Sequence, residues 1–545
     1  MKHLPRQFDY IVAGGGSAGS IVASRLSENP KNQVLLLEAG PEDRSLWSRI
    51  PLGFGLILFK DKYIWQDYKT TAESGLKGRS FQLPAGKLVG GSGAINGLIH
   101  VRGTKSDYRA WVEAGAEGWD WDDVLPYHKR YENSYRGDTD LHSTKGPIGI
   151  EPARWKTPLA DAYIDTAAKV LGTGKDVDFN SGSPEGSGYW DVATHRGVRS
   201  STSQTILKDA RKRPNLTVLT GAFVTRVNFQ GKRAVGVTYR KDGQELTVTA
   251  AKETILSTGA LRTPQLLQLS GIGSAELLKK HGIEVVHELN GVGEHLMDHI
   301  QVGRKYTTSS KYTFNAMVGN KLSQGLNGAR YLAGDRSGPL TIGASLAGSY
   351  LKTDPGLEEP NLQLHFLPFM PGDKGWDLAD TSGFRLAMYE GRPKSRGHVR
   401  ITSADPMAPA DITFNHLSSE EDQQVLMAGM RIAKDIAAAM PAEFAIKEVE
   451  PGPRGDSDEE LLDYMRESAN TGFHYAGTAR IGTDDGAVVD PQLRVRGVEG
   501  LRVVDASVMP VEMTGNIHPT VLMIAERGAD LIQQATLPAV HAEAR

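Results

Sequence analysis

The 545-residue chain contains no cysteine. This absence excludes disulfide bonds, thiolate metal sites, cysteine nucleophiles and cofactors attached through a cysteine sulfur, and we expect no metal site. No stretch approaches the ~20 consecutive apolar residues that cross a bilayer. Residues 1–10 run into an apolar strand without the apolar core or cleavage site of a signal peptide. We therefore expect a cytoplasmic protein that does not bind membranes.

The chain also lacks an excess of charge of either sign. Lys and Arg total 62, Asp and Glu total 65, and the formal net charge is −3. Such a balance gives no electrostatic footprint for nucleic acid. A hydrophobic content of 39% and a charged content of 23% are typical of a globular protein. The length exceeds what one core of ordinary size holds, which predicts two domains.

Near the N-terminus, a strand pattern at residues 8–13 is followed by a glycine turn and a helical run. In the turn, Gly14 permits the tight bend, Gly16 lets the backbone approach a pyrophosphate, and Gly19 lets helix and strand pack closely. A second strand at 33–37 ends in Glu38, close to the roughly 20-residue spacing expected for a carboxylate that binds a ribose hydroxyl. The pattern predicts a dinucleotide site.

This turn alone leaves NAD and FAD open. Three later segments favour a flavin. They are a glycine-rich loop at 84–97, a strand that enters a glycine turn at 253–260 and continues to 273, and a late strand at 500–507.

Two histidines near the C-terminus stand in turns rich in glycine and proline. His474 lies in the segment 472–478 and His518 in the segment 516–520. Histidine titrates near neutral pH without help, so the two are candidates for an acid/base pair. A histidine in a loop is more often an ordinary hydrogen-bonding residue, and these turns by themselves do not decide between the two interpretations.

Together these segments resemble the glucose–methanol–choline (GMC) flavoprotein oxidoreductases, from Phe8 to Leu531. Residues 86–96 resemble the first family signature, and residues 259–273 match the second. Residues 292–299 resemble a further family element, with His295 where the family usually has Asn. The remaining matches are Arg396-Gly397, Asp405-Pro406 and Asn415, then His474-x-x-Gly477-Thr478, and finally the segment 516–520.

The resemblance implies an α/β fold, with a Rossmann-like FAD-binding domain and a discontinuous α+β substrate domain built on an antiparallel sheet. The FAD-binding domain is predicted to comprise residues 1–155, 200–305 and 470–545, and the substrate-binding domain residues 156–199 and 306–469. Alternating runs at 361–366 and 398–401 are typical of strands with one covered face. Residues 418–439 have helical periodicity, and the Gly/Ser/Asp-rich segment 172–190 is typical of a loop.

The resemblance also implies roles for individual residues. His474 would remove the hydroxyl proton of an alcohol while hydride passes to N5 of the flavin, and His518 would hold the same oxygen from the start of a helix whose dipole faces the flavin. The predicted FAD-binding residues are Gly14, Gly16, Ser17, Ala18, Gly19, Glu38, Ala39, Gly91, Ser92, Asn96, Ile99, Val224, Asp505, Ala506, Pro519 and Thr520. Some relatives attach FAD through a histidine where this chain has Ile95, so FAD is predicted to be non-covalent.

Aromatic residues are the candidates for the substrate wall. Phe473 directly precedes His474, and the further candidates are Tyr63, Trp65 and either Phe366 or Phe369. If Phe473 faces the pocket, a primary aromatic or allylic alcohol becomes a suitable substrate.

Several functions remain open. O2 or a quinone-type acceptor could reoxidise the flavin, and the small Gly472 favours the oxidase slightly. A hydroxynitrile lyase on the same fold is the alternative. A photoactive decarboxylase is disfavoured because the chain has no cysteine, and a non-catalytic flavin protein because both histidines are present. The oligomeric state is not predicted.

Overall fold

The computed structural model describes residues 5–58, 60–372 and 378–535. In chain order, the strands of this part of the chain are β1 (Gln7–Ala13), β2 (Val34–Glu38), β3 (Glu132–Ser134), β4 (Ile148–Pro152), β5 (Gly186–Tyr189), β6 (Asp191–Val192), β7 (Thr194–His195), β8 (Val198–Arg199), β9 (Leu216–Thr220), β10 (Phe223–Gln230), β11 (Arg233–Lys241), β12 (Gln244–Leu256), β13 (Ile272–Gly273), β14 (His287–Glu288), β15 (Glu294–Leu296), β16 (Ile300–Thr307), β17 (Ala347–Leu351), β18 (Leu362–Leu367), β19 (Gly383–Glu390), β20 (Gly397–Arg400), β21 (Asp411–Thr413), β22 (Lys447–Glu450), β23 (Asn470–Thr471) and β24 (Leu501–Val503).

The α-helices are α1 (Ser17–Leu26), α2 (Leu46–Arg49), α3 (Phe54–Ile57), α4 (Lys105–Glu113), α5 (Trp121–Tyr131), α6 (Pro158–Leu171), α7 (Ile206–Ala210), α8 (Thr263–Leu269), α9 (Ala275–Lys280), α10 (Phe314–Val318), α11 (Lys321–Leu332), α12 (Glu420–Ala439), α13 (Asp458–Ser468) and α14 (His518–Ala535). Short 3-10 helices cover Pro51–Gly53, Ser74–Leu76, Gly91–Ala94, Pro339–Thr341, Ala442–Phe444, Gly452–Gly455 and Ala506–Val508.

The first large sheet has seven strands in the order β10-β11-β12-β1-β2-β9, with β24 beside β12. Strands β12, β1, β2, β9 and β24 pair in parallel, whereas β10, β11 and the first half of β12 form an antiparallel meander. Strand β2 is buried throughout, as expected for a parallel strand covered on both faces. The predicted Rossmann-like order of strand, glycine turn, helix and strand is confirmed in β1, α1 and β2.

Helices α1 and α14 pack side by side although they come from opposite ends of the chain. Ser17 and His518, the first residues of the two helices, are in hydrogen-bond contact. Further along the two helices, Arg25 of α1 pairs with the buried Glu526 of α14 at 2.7 Å. Two contacts at equal spacing along both helices mean that the helices run parallel, so their N-termini lie at the same place.

The second large sheet is antiparallel throughout, in the order β22-β16-β19-β18-β17-β5, with β23 beside β16. Helix α12 packs on it, and its bounds confirm the predicted helical segment. Two details differ from the sequence-based expectations. Strand β20 belongs to a separate three-stranded sheet with β15 and β21, and the predicted loop at 172–190 contributes the edge strand β5.

The strands of the first sheet fall within the blocks predicted for FAD binding. Strand β16 of the second sheet crosses the predicted boundary at 305, and the division into domains stays a prediction. In the described ranges, none of the helices combines the length and the apolar character that a bilayer crossing requires.

Candidate functional site

A cavity of about 510 Å3 is lined by residues from both large sheets. At one end lie the residues that follow the carboxyl ends of β1, β2 and β12, which is where ligands bind in open parallel sheets. At the other end lie side chains from one face of the antiparallel sheet. Both candidate histidines, His474 and His518, line this one cavity.

Most of the predicted FAD-binding residues line the cavity. These are Gly14, Gly16, Ser17, Ala18, Glu38, Ala39, Gly91, Ser92, Asn96, Ile99, Val224, Asp505 and Ala506. Gly19 does not line it, and a Cβ there would lie 1.9 Å from the Gly14 carbonyl oxygen. Pro519 and Thr520 do not line it either; they are buried in the first turn of α14.

The two carboxylates that line the cavity accept hydrogen bonds from backbone amides. Glu38 accepts hydrogen bonds from the amides of Gly15 (2.8 Å) and Gly40 (2.7 Å). Burial raises the pKa of Glu38 to about 7, although these two hydrogen bonds act to lower it. Asp505 accepts from the Gly259 amide at 2.8 Å and from the Ser507 amide at 2.8 Å. Both side chains thus fix the glycine turns that form the cavity wall.

The cavity receives the N-termini of two parallel helices. Helix α1 begins at Ser17, after Gly16, which provides no side-chain cap, and its first turn has no acidic residue. Helix α14 begins at His518, also without an acidic residue in its first turn. Uncapped amides and the positive ends of two helix dipoles favour an anion such as a pyrophosphate. Gly91 lies so close to Gly16 that a Cβ at 91 would be 2.8 Å from the Gly16 Cα. The residues present therefore fit a dinucleotide.

His474 is held by hydrogen bonds at both ring nitrogens. His299 Nε2 lies 3.0 Å from the Gly391 carbonyl oxygen, and His299 Nδ1 lies 2.8 Å from His474 Nδ1. The His474 Nε2 atom faces the Asn516 amide nitrogen at 3.1 Å. Gln363 donates to the Asn516 amide oxygen at 3.4 Å, which fixes the orientation of that amide.

This chain of contacts determines which His474 nitrogen carries the proton. A carbonyl oxygen only accepts, so His299 Nε2 donates to Gly391. Burial lowers the pKa of His299, so the ring is neutral and its Nδ1 accepts the hydrogen of His474 Nδ1. Burial also lowers the pKa of His474 well below its usual range, and the neighbouring His299 and His365 act in the same direction. Neutral His474 therefore carries a lone pair on Nε2.

The turn that carries His474 is strained and is held by Asp298. The residue before it, Phe473, has φ of 65°, a left-handed conformation that costs a non-glycine residue about 1–2 kcal/mol. The Asp298 carboxylate accepts from the His474 amide at 2.7 Å and from the Thr471 hydroxyl at 2.5 Å. In the same region His295 has φ of 65°. Asn adopts this conformation readily, which gives a physical reason for the family's usual residue.

His518 contacts the start of α1. Its Nε2 atom lies 2.9 Å from the Ser17 hydroxyl. Burial, and then the charge of Arg199, lower its pKa to about 4. Gly93 leaves room for the ring, since a Cβ at 93 would lie 2.5 Å from His518 Nε2. The side chain that meets His474 Nε2 is Asn516, two residues earlier in the same predicted segment.

The aromatic candidates for the substrate wall have different positions. Phe369 lines the cavity and Tyr63 does not. Phe473 lines the cavity and is 38% exposed, which places it at the opening. Trp65 lines the cavity, but its ring neighbours are Tyr68 and Phe223, and Phe223 is next to the predicted FAD-binding residue Val224. The prediction that Phe366 forms part of the substrate wall is wrong. Phe366 does not line the cavity, because it points to the other face of β18 and stacks on Tyr163.

Several residues of the site were not predicted from the sequence. Asn516 and His299 stand in motifs that the sequence revealed, but no role was assigned to either. Other missed residues come from the face of the antiparallel sheet: Gln301, His365, Leu367, Arg385 and Tyr389. The alternation of β18 was the available signal, but alternation does not say which face of a strand meets a cavity.

Comparison with known proteins points to one family. A family model described as GMC oxidoreductase matches residues 8–301 with its N-terminal part and residues 393–525 with its C-terminal part. The chain is 39% identical over 532 residues to an alcohol dehydrogenase (acceptor) of Pseudomonas putida, covering 96% of this chain and 95% of that protein. It is 38% identical over 532 residues to an oxygen-dependent choline dehydrogenase of Photobacterium profundum, covering 96% and 93%. Among solved structures, the pyridoxine 4-oxidase from Mesorbium loti has a TM-score of 0.87 at 30% identity, covering 97% and 99%.

Proposed function

The chain belongs to the GMC oxidoreductase family, with FAD as its cofactor, and we propose that it oxidises a primary alcohol to the aldehyde with His474 Nε2 as the base. The observation that carries the proposal is the lone pair on that nitrogen. The contact of Nδ1 with His299 leaves this lone pair on Nε2, and Nε2 faces Asn516. His474 lines the same cavity as the start of the uncapped helix α1.

The predicted FAD contacts that line the cavity are proposed to hold the cofactor. Gly14, Gly16 and Ser17 would meet the pyrophosphate at the start of α1, and Glu38 the ribose. The start of α14 would lie toward the ring system. Bound FAD supplies a two-electron acceptor for the hydrogen on the hydroxyl-bearing carbon of the alcohol.

The protein's own part is to take the hydroxyl proton. An alcohol is a poor hydride donor and its alkoxide a good one, so removal of the proton by His474 Nε2 makes the carbon–hydrogen bond reactive. The Asn516 amide, which donates to Nε2 in this structure, can donate to the alcohol oxygen when that oxygen comes between them. His518 supplies a second polar contact from the start of α14. Groups fixed in this way hold the oxygen in a reactive geometry.

The acceptor is proposed to be O2 or a quinone-type compound. The small size of Gly472 has a cause unrelated to gas access, because a Cβ there would lie 2.8 Å from the His299 carbonyl oxygen and 3.3 Å from His474 Nδ1. Gly472 therefore no longer favours either acceptor. Release of peroxide under air during turnover identifies an oxidase, and its absence together with quinone reduction identifies a dehydrogenase.

The proposed function is tested by adding alcohols to the holoenzyme without oxygen and recording the flavin absorbance. We expect bleaching with a primary alcohol such as benzyl alcohol, which suits the ring of Phe473 at the cavity opening. An aromatic cyanohydrin is the comparison. Cleavage of the cyanohydrin without bleaching by any alcohol would identify the lyase and contradict the proposal.

We expect FAD to be non-covalent. Ile95 lines the cavity at the position where some relatives have a linking histidine, and its side chain packs among Ile57, Ile64 and Leu88. A saturated side chain forms no bond to a flavin. After acid precipitation, the flavin should be found in the supernatant in about equimolar amount to the protein. Colour that remains with the washed pellet would show a covalent link through another residue.

A further inference from the structure

In the part of the chain that the structure describes, no carboxylate lines the substrate end of the cavity. Among the described residues that line the cavity, the carboxylates are Glu38 and Asp505. Both lie at the nucleotide end, and both are already bound to backbone amides. The face of the antiparallel sheet contributes Arg385 instead. From the described residues, an alcohol with a fixed positive charge would thus meet a guanidinium and no carboxylate to pair with.

The side chain of Arg385 has no hydrogen-bond partner among the described residues. Its Nε atom is buried without a partner, and burial lowers the pKa of the guanidinium. Arginine stays charged in proteins, and leaving its buried Nε atom without an acceptor is costly. An anion that entered the cavity would supply the missing acceptor, in the bidentate geometry that suits a carboxylate.

Glu450, the carboxylate whose charge acts on Arg385, is already shared with other groups. Lys305 lies opposite Arg385 in the β16–β19 pairing, and Lys305 Nζ pairs with Glu450 at 2.9 Å. Tyr464 also donates to Glu450 at 3.2 Å. One carboxylate therefore faces two cations, and a net positive charge remains beside the cavity.

The spacing along β19 relates Arg385 to the proposed base. The ring of Tyr389, on the same strand face as Arg385, is 5.5 Å from the ring of His474, centroid to centroid. Four residues of an extended strand separate Arg385 from Tyr389, about 13 Å along β19. Arg385 and His474 both line the cavity, so the space between them belongs to it. An aromatic ring or a chain of several carbons fits between the two groups.

Building on the proposed function, we propose that the substrate is an alcohol that carries a carboxylate, which Arg385 binds while the hydroxyl meets His474. A hydroxymethyl-substituted aromatic carboxylate has suitable length and shape. The carboxylate binds and is not changed, so Arg385 is a specificity residue and takes no part in the oxidation step.

The test compares kcat/KM for para-hydroxymethylbenzoate and its uncharged amide, para-hydroxymethylbenzamide. The wild-type enzyme should prefer the carboxylate by about 10–100-fold, the range of a hydrogen-bonded charge pair. In Arg385→Met, this ratio should fall to near one, mainly through a higher KM for the carboxylate. Arg385→Lys should restore part of the preference, because lysine keeps the charge but not the bidentate fork. Arg330→Met, the same exchange on the exposed face of α11, should leave the ratio unchanged.

The outcomes separate this inference from the proposed function. If no alcohol bleaches the flavin of the wild-type enzyme, the proposed function fails. If benzyl alcohol and the amide bleach it but the carboxylate is not preferred, the proposed function stands and the role of Arg385 is wrong. An equal fall in kcat/KM for both substrates in Arg385→Met would also overturn the inference, since that pattern indicates a structural role. Preference for choline over all three would contradict it as well.

Discussion

Replacement of His474 by glutamine is expected to lower the rate of flavin reduction by an alcohol by roughly 10²–10⁴, the usual contribution of a positioned base. Glutamine can keep polar contacts to His299 and Asn516, but its amide does not take a proton near neutral pH. We therefore expect His474→Gln to fold, to retain FAD and to bind substrate. The measurement is the single-turnover reduction rate under saturating alcohol without oxygen.

The pH dependence provides the control for this prediction. The base must be neutral to act, and burial lowers the pKa of His474. The wild-type kcat/KM should therefore rise with pH through a limb that lies below the ordinary histidine pKa of ~6.5 and be flat above it. His474→Gln should lose that limb. His518→Asn, which keeps a polar side chain at the start of α14, should lose much less rate and keep the limb. A His474→Gln enzyme within a few-fold of wild type would show that another group is the base.

Sequence patterns predicted those parts of the fold that depend on interactions between residues close together in the chain. A strand, a turn that only glycine can make and a helix follow each other from β1 to α1, and each leaves its own mark on the sequence. The two histidine segments were recognisable for a similar reason, since each lies in a turn of fixed composition. The position of His474 and His518 on one cavity follows from the order of the family motifs.

The substrate face could not be read in the same way. Strand β18 was predicted, but adjacent residues of a strand point to opposite faces. Phe366 was chosen for the substrate wall because it is aromatic, whereas His365 and Leu367, on either side of it, line the cavity. Arg385 lies on β19, and its place beside the cavity depends on the pairing of strands far apart in the sequence.

Composition also misled in one segment. The Gly/Ser-rich stretch at 172–190 favoured a loop, yet its end forms β5 by pairing with β17. Gly348 of β17 is needed there, because a Cβ at that position would lie 2.0 Å from the ring of Trp190. Small residues at this edge let a large ring pack against the sheet. A contact between distant segments thus overrides the local preference for a turn.

Gly14→Ala is expected to cost the holoenzyme its FAD. Gly14 has φ of 99°, and a Cβ there would lie 2.3 Å from the Ser257 carbonyl oxygen, a backbone atom that cannot rotate away. Relief requires the turn between β1 and α1 to move, and with it Gly16 and Ser17 on the cavity wall. Left-handed strain and overpacking together should cost about 2–4 kcal/mol, equivalent to a loss of roughly 30–1000-fold in FAD affinity. The flavin-to-protein ratio after purification measures it.

Gly243→Ala separates the steric clash from the backbone strain. Gly243 has φ of 77° in the turn between β11 and β12, and no atom lies within 4 Å of its added Cβ. This variant pays the conformational cost of alanine, about 1 kcal/mol, without any collision. It should therefore lower the melting temperature slightly and keep its full FAD content. If both variants lost FAD to the same extent, the loss would come from general destabilisation. If Gly14→Ala kept its FAD, the close approach of the turn to Ser257 would not be what shapes the nucleotide site.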